Sequence, residues 1–197
     1  GKIAASVSAN TRAQTTGNVL ATGTWAHVVM TFAGGDTATP LIYINGAATG
    51  VSTNQSDDPA ALTTTGLRIA TNSTGGGSVA NYANVYMCDF AVWDKVLSAT
   101  EVTEVYGGGK RVYLSGLAAA ANLITWYKMG SDTRDDKDTI YNQVSNDVGN
   151  ATGLNLETAD LAAVSPDFAT RYQITNDGTN INVYWHRYIE ERTDATR

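Results

Sequence analysis

The chain has 197 residues, a formal net charge of −6 and a hydrophobic fraction of 43%, enough for one cored domain of sandwich or barrel size, alone or with an appendage. The acidic balance argues against a nucleic-acid binder, which needs a cationic face to displace counterions. No apolar run approaches the ~18 residues of a membrane-spanning helix, and no basic-then-apolar leader opens the chain. The first stretch, "KIAASVS" (2–8), already reads as a strand, so a processed product or a segment of something longer is expected. "AHVVMTF" (26–32) and "LIYING" (41–46) then alternate with period two and predict a strand pair, the second ending in the turn dipeptide Asn45–Gly46. "LRIAT" (67–71) and "NVYMCDFAVWD" (84–94) predict further strands, set among turn-forming clusters such as "SDDPAALTTTG" and "NSTGGGSVAN". In the longer strand, Val85, Met87, Asp89, Ala91 and Trp93 share one face, and Tyr86, Cys88, Phe90 and Val92 the other. The second face is uniformly apolar and is the expected core side.

One helix is predicted near 98–106. Ser98 and Glu101 have the spacing of a capping box, Val102 and Val105 give it a buried face, and Gly107 offers a left-handed stop. It is about two turns long and is expected to plug one end of the sandwich. "GLAAAANLITWYKMG" (116–130) follows with a helical turn and a strand, Leu123–Met129, and then the Asp-rich loop "SDTRDDKDT" (131–139). "RYQITN" (171–176) and "NINVYWHRYIEE" (180–191) predict a hairpin joined through Asp177–Gly178, and "RTDATR" a loose tail or assembly arm. Cys88 is alone, so no intrachain disulfide can form, and the fold is expected either from a reducing cytosol or to stand on packing and assembly. The sequons at Asn54, Asn72 and Asn150 carry little weight in so polar a chain.

A family resemblance rests on five elements in order. "GTWAHVVMTFAGGDTATPLIYINGA", "LRIATN" and "NVYMCDFAVWDKVLSATEVTEVYGGG" resemble the laminin-G-like, concanavalin A-like jelly-roll family over roughly residues 1–107. The shared run is a Trp-x-His strand, a Tyr-x-Asn-Gly strand, an Ile-Gly-type strand, an Asp-containing aromatic strand, then Leu-Ser-x-x-Glu and a short helix. Members of that family normally supply earlier strands, one with a Trp, before the point where this chain starts. Those strands are expected either on another polypeptide or to be replaced by region 110–190. More loosely, "NLITWYKMGSD…TIYNQVSNDVGNATGLNLETADL" is similar to a stretch found beside such domains in structural proteins of tailed bacteriophages.

The chemistry-bearing residues point away from catalysis. His27 has only His186 for company and no nucleophile motif, so its expected role is structural, in the wall of the sheet. A sandwich-fold glycosidase needs two carboxylates flanking the scissile bond, about 5–5.5 Å apart for retention. Asp89 and Asp94 fall on opposite faces, Glu101 and Glu104 are helical, and Glu190–Glu191 are adjacent near the tail. Calcium is left open as a cofactor, because Asp132, Asp135, Asp136 and Asp138 are hard oxygen donors on a loop, although Arg134 and Lys137 sit among them. Asp89 reads either as a rim calcium ligand, as the resemblance implies, or as a hydrogen-bonding residue across the sheet. One Cys and two distant His make no zinc set, and "GGGK" (107–110) lacks the first Gly and the final Ser/Thr of a phosphate loop. Trp25 and Trp93 are expected to pack, while Trp126–Tyr127 and Tyr184–Trp185 each place one aromatic on each face, one of them exposed or at an interface.

The expected architecture is therefore all-β: an antiparallel β-sandwich of the concanavalin A-like jelly-roll type over 1–170, with a C-terminal hairpin and tail at 171–197. The expected function is non-catalytic, with no catalytic residues and the metal and ligand residues unknown. The leading reading is a virion structural protein (decoration, fibre or appendage component) at the virion surface. Its partners would be other virion chains in an oligomeric assembly, with host glycans as a further contact. The alternative is an extracellular carbohydrate-binding module, with or without calcium, and a glycosidase comes third.

Overall fold

The computed structural model describes residues 1–6, 11–34, 39–55, 72–73, 79–80, 87–129, 132, 134–144, 149–152, 171–176 and 181–186. Along the chain run β1 (Ala4–Ser6), β2 (Thr11–Thr15), β3 (Val28–Thr31), β4 (Leu41–Ile44), β5 (Ala47–Ala48) and β6 (Val51–Gln55). Next come β7 (Asn72–Ser73), β8 (Val79–Ala80), β9 (Phe90–Trp93) and α1 (Ala99–Tyr106). Two 3-10 segments, Leu114–Gly116 and Ala118–Asn122, lead into β10 (Leu123–Tyr127), β11 (Thr139–Ile140), β12 (Ala151–Thr152), β13 (Arg171–Asn176) and β14 (Ile181–His186). Every strand pairing is antiparallel, in the orders β1-β2-β6, β3-β4-β5, β7-β8, β10-β9, β11-β12 and β13-β14. The fold is all-β, and α1 is the only α-helix among the described residues. None of the described helices is long and apolar enough to cross a membrane.

The β3–β4–β5 sheet takes its register from its turn. Val28 pairs with Ile44 and Thr31 with Leu41, and Ile44 then pairs with Ala47 across Asn45–Gly46. Both turn residues are left-handed, at φ 52° and 80°, the conformation whose twist matches the flanking strands of a two-residue hairpin. Gly46 is needed twice over, because a Cβ there would lie 2.9 Å from Tyr106 Cδ1 of α1. Trp25 and His27 fall just before β3 rather than within it.

The helix forms as its sequence dictates. Ser98 caps the first turn by accepting from the Glu101 N–H, and the Glu101 carboxylate accepts from the Ser98 N–H in return. At the other end Gly107, at φ 60°, closes the helix by donating its N–H to the Thr103 carbonyl. Val102 and Val105 are buried, as the spacing predicts.

Several predicted boundaries change. Of the predicted 84–94 strand, residues 84–86 lie outside the described residues, and β9 begins at Phe90, just after Asp89, left-handed at φ 54°, breaks the alternation. Ala91 and Trp93 pack on the buried cluster, and all four residues of β9 are half-buried. The strand expected to run to Met129 stops at Tyr127, where Met129 is itself left-handed at φ 56°. The predicted C-terminal hairpin forms, with Arg171 opposite His186 and Asn176 opposite Ile181. The predicted strand at 67–71 lies outside the described residues.

Among the described residues, one buried cluster unites distant parts of the chain. Tyr43, Leu97, Val102 and Val105 pack with Val112, Leu114, Leu117, Ala119, Leu123 and Trp126. Leu123 and Trp126 enter it from β10, which pairs with β9 from Trp93–Leu123 to Phe90–Tyr127 around a bulge at Ile124.

Candidate functional site

Charged side chains gather where β9 and β10 leave their ladder. Asp89 precedes β9 in its left-handed conformation and turns its carboxylate onto Arg111, just beyond α1. Arg111 donates through Nε to Asp89 Oδ2 and through Nη2 to Oδ1 at 2.8 Å, a forked pairing that suits guanidinium and carboxylate. The Trp126 indole N–H also donates to Asp89 Oδ1, at 2.9 Å. The Arg111 side chain is only 3% exposed, so the pair works in a largely dry setting. Beside it, the buried Lys128 ammonium lies 5.8 Å from the Tyr113 ring centre and 5.7 Å from that of Trp126, which meet edge to face. Asp89 is therefore the cross-sheet hydrogen-bonding residue, one of the two roles expected of it.

Below this clasp is a cleft of about 220 Å³ lined by Ser115, Ala120, Leu123, Trp126, Gln143 and Val144. Its floor is apolar core. Both amide hydrogens of Gln143 are committed, to Asp132 Oδ2 at 2.7 Å and the Tyr141 carbonyl at 2.9 Å, which leaves Oε1 as its acceptor. The indole N–H of Trp126 is spent on Asp89, and the ring is 3% exposed. This cleft offers no stacking face to a sugar.

The Asp-rich loop proves to be self-satisfied. Arg134 forks onto Asp132 at 3.0 and 2.7 Å and also donates its backbone N–H, and these bonds hold the Asp132 carboxyl well below the usual carboxylate range. Asp136 Oδ1 accepts from the N–H groups of Asp138 and Thr139, Asp135 Oδ1 from Tyr141, and Asp138 pairs with Lys137. Among the described residues no three His, Cys, Asp or Glu side chains gather to hold a metal. The Asp132 carboxylate is thus committed to a guanidinium and an amide within the loop.

The remaining candidates are placed as follows. His27 is tied to the hairpin turn through its backbone, which donates to Asn45 Oδ1 and accepts from the Asn45 N–H, each at 2.9 Å. Its ring lies 5.7 Å from Tyr106. Asp94 accepts from Asn122 Nδ2 at 2.9 Å. Glu101 serves Ser98 and Lys95, whose hydrogen bonds pull its carboxyl down to about 2. Cys88 is a half-buried thiol pushed up to about 11, mainly by burial, so it is protonated and unreactive at neutral pH. Gly107, Gly108 and Gly109 all have positive φ at the end of a helix rather than the start of one, the wrong end for a phosphate loop.

Two aromatic expectations are revised. Trp25 is 38% exposed, since it stands ahead of β3 and not in its wall. Trp126 and Tyr127 are both buried, at 3% and 6%, because β10 is covered on both faces and Tyr127 donates to the Gly149 carbonyl at 2.8 Å. The side chains of Tyr184, Trp185 and His186 lie outside those described, as do Glu190 and Glu191. The sequence reading missed Arg111, Lys128 and Gln143. A signal for Arg111 was available: a basic residue straight after a helix stop, with an acid interrupting an otherwise apolar strand.

Comparison with known families matches residues 1–103 to the concanavalin A-like lectin/glucanases superfamily. No curated protein and no solved structure matches the chain.

Proposed function

This chain belongs to the concanavalin A-like lectin/glucanases superfamily, and we propose that it is a non-catalytic, lectin-like sandwich serving recognition and assembly in a virion structural protein. The observation that carries the non-catalytic reading is the state of the carboxylates. Asp89, Asp94, Glu101, Asp132, Asp136 and Asp138 are each engaged by a cation, an amide or a backbone N–H. Glycoside hydrolysis needs one carboxyl held protonated and a second facing it across a sugar. The described carboxyls with clearly shifted values, Glu101 and Asp132, are pushed the opposite way, towards the ionised form.

The virion setting is supported by the likeness of residues 122–161 to phage structural proteins and by a lone cysteine, which suits a chain held by packing and assembly rather than disulfides. The partners are then other virion chains in an oligomer, at the particle surface. Host glycan contact is a second reading, favoured by the exposed Trp25 indole, which can lie against a sugar ring. The same indole favours the alternative of an extracellular carbohydrate-binding module.

Mass spectrometry of purified particles tests the setting: peptides of this chain should appear at the abundance of a structural component. Their recovery only from a secreted adhesin or hydrolase would overturn it. A glycan array run with and without chelator tests the second reading. Binding is expected to survive the chelator and to be lost in Trp25→Ala, whereas chelator-sensitive binding would mean that a calcium site has been missed.

A further inference from the structure

His27 is the one described side chain that joins a conformational lock to a titratable group. Its backbone holds the Asn45–Gly46 turn in both directions, and its ring lies 5.7 Å from Tyr106 of α1 at a 39° tilt. The turn in turn touches α1: Thr103 Oγ1, whose proton is nearer the Ala99 carbonyl at 2.9 Å, lies 3.4 Å from the Gly46 carbonyl, and the Gly46 Cα leaves no room for a Cβ against Tyr106. Within this junction His27 Nδ1 is buried and has no hydrogen-bond partner among the described residues. A neutral imidazole tolerates that position, because one of its two nitrogens needs no donor role. Protonation makes both nitrogens donors and places a charge there, and a buried donor without an acceptor is costly.

The surroundings give a protonated Nδ1 no acceptor among the described residues, and the tilted Tyr106 ring, 5.7 Å away, offers the charge only a weak attraction. α1 presents the uncharged Tyr106 and Thr103, and the turn presents the uncharged Asn45. Asp89 is the carboxylate whose field reaches the ring, but its oxygens are already engaged by Arg111 and the Trp126 indole. We propose that His27 is an acid-operated pin: neutral, it fastens the Asn45–Gly46 hairpin to α1, and protonated, it releases them.

The direction with pH follows from burial, which lowers His27 below its ordinary 6.5, with Asp89 opposing less strongly. The unfolded chain then takes up the proton first, so stability from this residue is full above about 6.5 and falls with acidification until the folded ring itself titrates.

His27 and His186 are the only histidines, so two imidazole signals report on the whole chain. The experiment follows both by NMR, and the thermal midpoint, from about pH 8 to about pH 5 in the wild type, His27→Gln and His186→Gln. The wild type and His186→Gln should lose thermal midpoint on acidification, and His27→Gln should lose markedly less. The His27 signal, assigned from His186→Gln, should titrate below the ordinary value, with exchange of the Asn45 amide speeding up before that of Trp126. A His27 signal titrating at or above the ordinary value overturns the proposal, as does an undiminished acid loss in His27→Gln. If His27→Gln does not fold, the wild-type titration and the order of amide exchange decide alone.

Discussion

The Asn45–Gly46 hairpin and the 132–144 loop each reverse the chain, and they hold their shape by different physics. The hairpin is fixed by backbone: two left-handed residues set the register of β4 against β5, and a glycine lets α1 lie on the turn. The loop is fixed by charge: Asp132, Asp135 and Asp136 each brace backbone N–H groups, and Arg134 and Gln143 gather on Asp132. The turn itself is set without charges, and only its attachment to α1 is tied to a titrating group, His27, while the loop depends throughout on the ionisation of its carboxylates. The Asp89–Arg111 clasp carries the loop's device into the interior, where the field is less screened.

Mutation can break this contrast at its strongest point first. Asp89→Ala should cost about 4 kcal/mol in urea unfolding, the range for removing one partner of a buried ion pair. A loss no larger than that of an exposed pair would mean the clasp is not the brace its geometry describes. Gly46→Val should cost about 3 kcal/mol, from the left-handed conformation it must adopt and the overlap with Tyr106, with no dependence on salt. Asp132→Ala should cost about 2 kcal/mol by stripping charge-assisted bonds from Arg134 and Gln143, and part of that difference should vanish in molar salt. Equal salt responses for Gly46→Val and Asp132→Ala would erase the distinction.

The same contrast explains what could be read from the sequence. The hairpin and the helix caps were legible because Asn-Gly and Ser-x-x-Glu encode local geometry within a few residues. The point where the 84–94 segment loses its alternation was not, because period-two reading assumes an unbroken pleat and Asp89 breaks it. Four aspartates within seven positions left calcium open with Arg134 and Lys137 among them, and spacing alone could not show that Arg134 folds back two residues to take one of them. Trp126 was misjudged for a related reason. Alternation places a side chain on a face, but whether that face is covered depends on residues far along the chain, here Leu114, Leu117 and Val144.

The shared core has a consequence for the order of events during synthesis. The first 103 residues, which carry the family pattern, emerge before the Leu114, Leu117, Leu123 and Trp126 that complete the cluster around Tyr43 and Val102. At typical elongation rates the 23 residues from Thr103 to Trp126 take roughly 1–5 s to make. For that interval the nascent sheet lacks the layer that will cover its apolar side. Until Trp126 and its neighbours are made, Tyr43 and Val102 lack the partners that bury them in the finished fold.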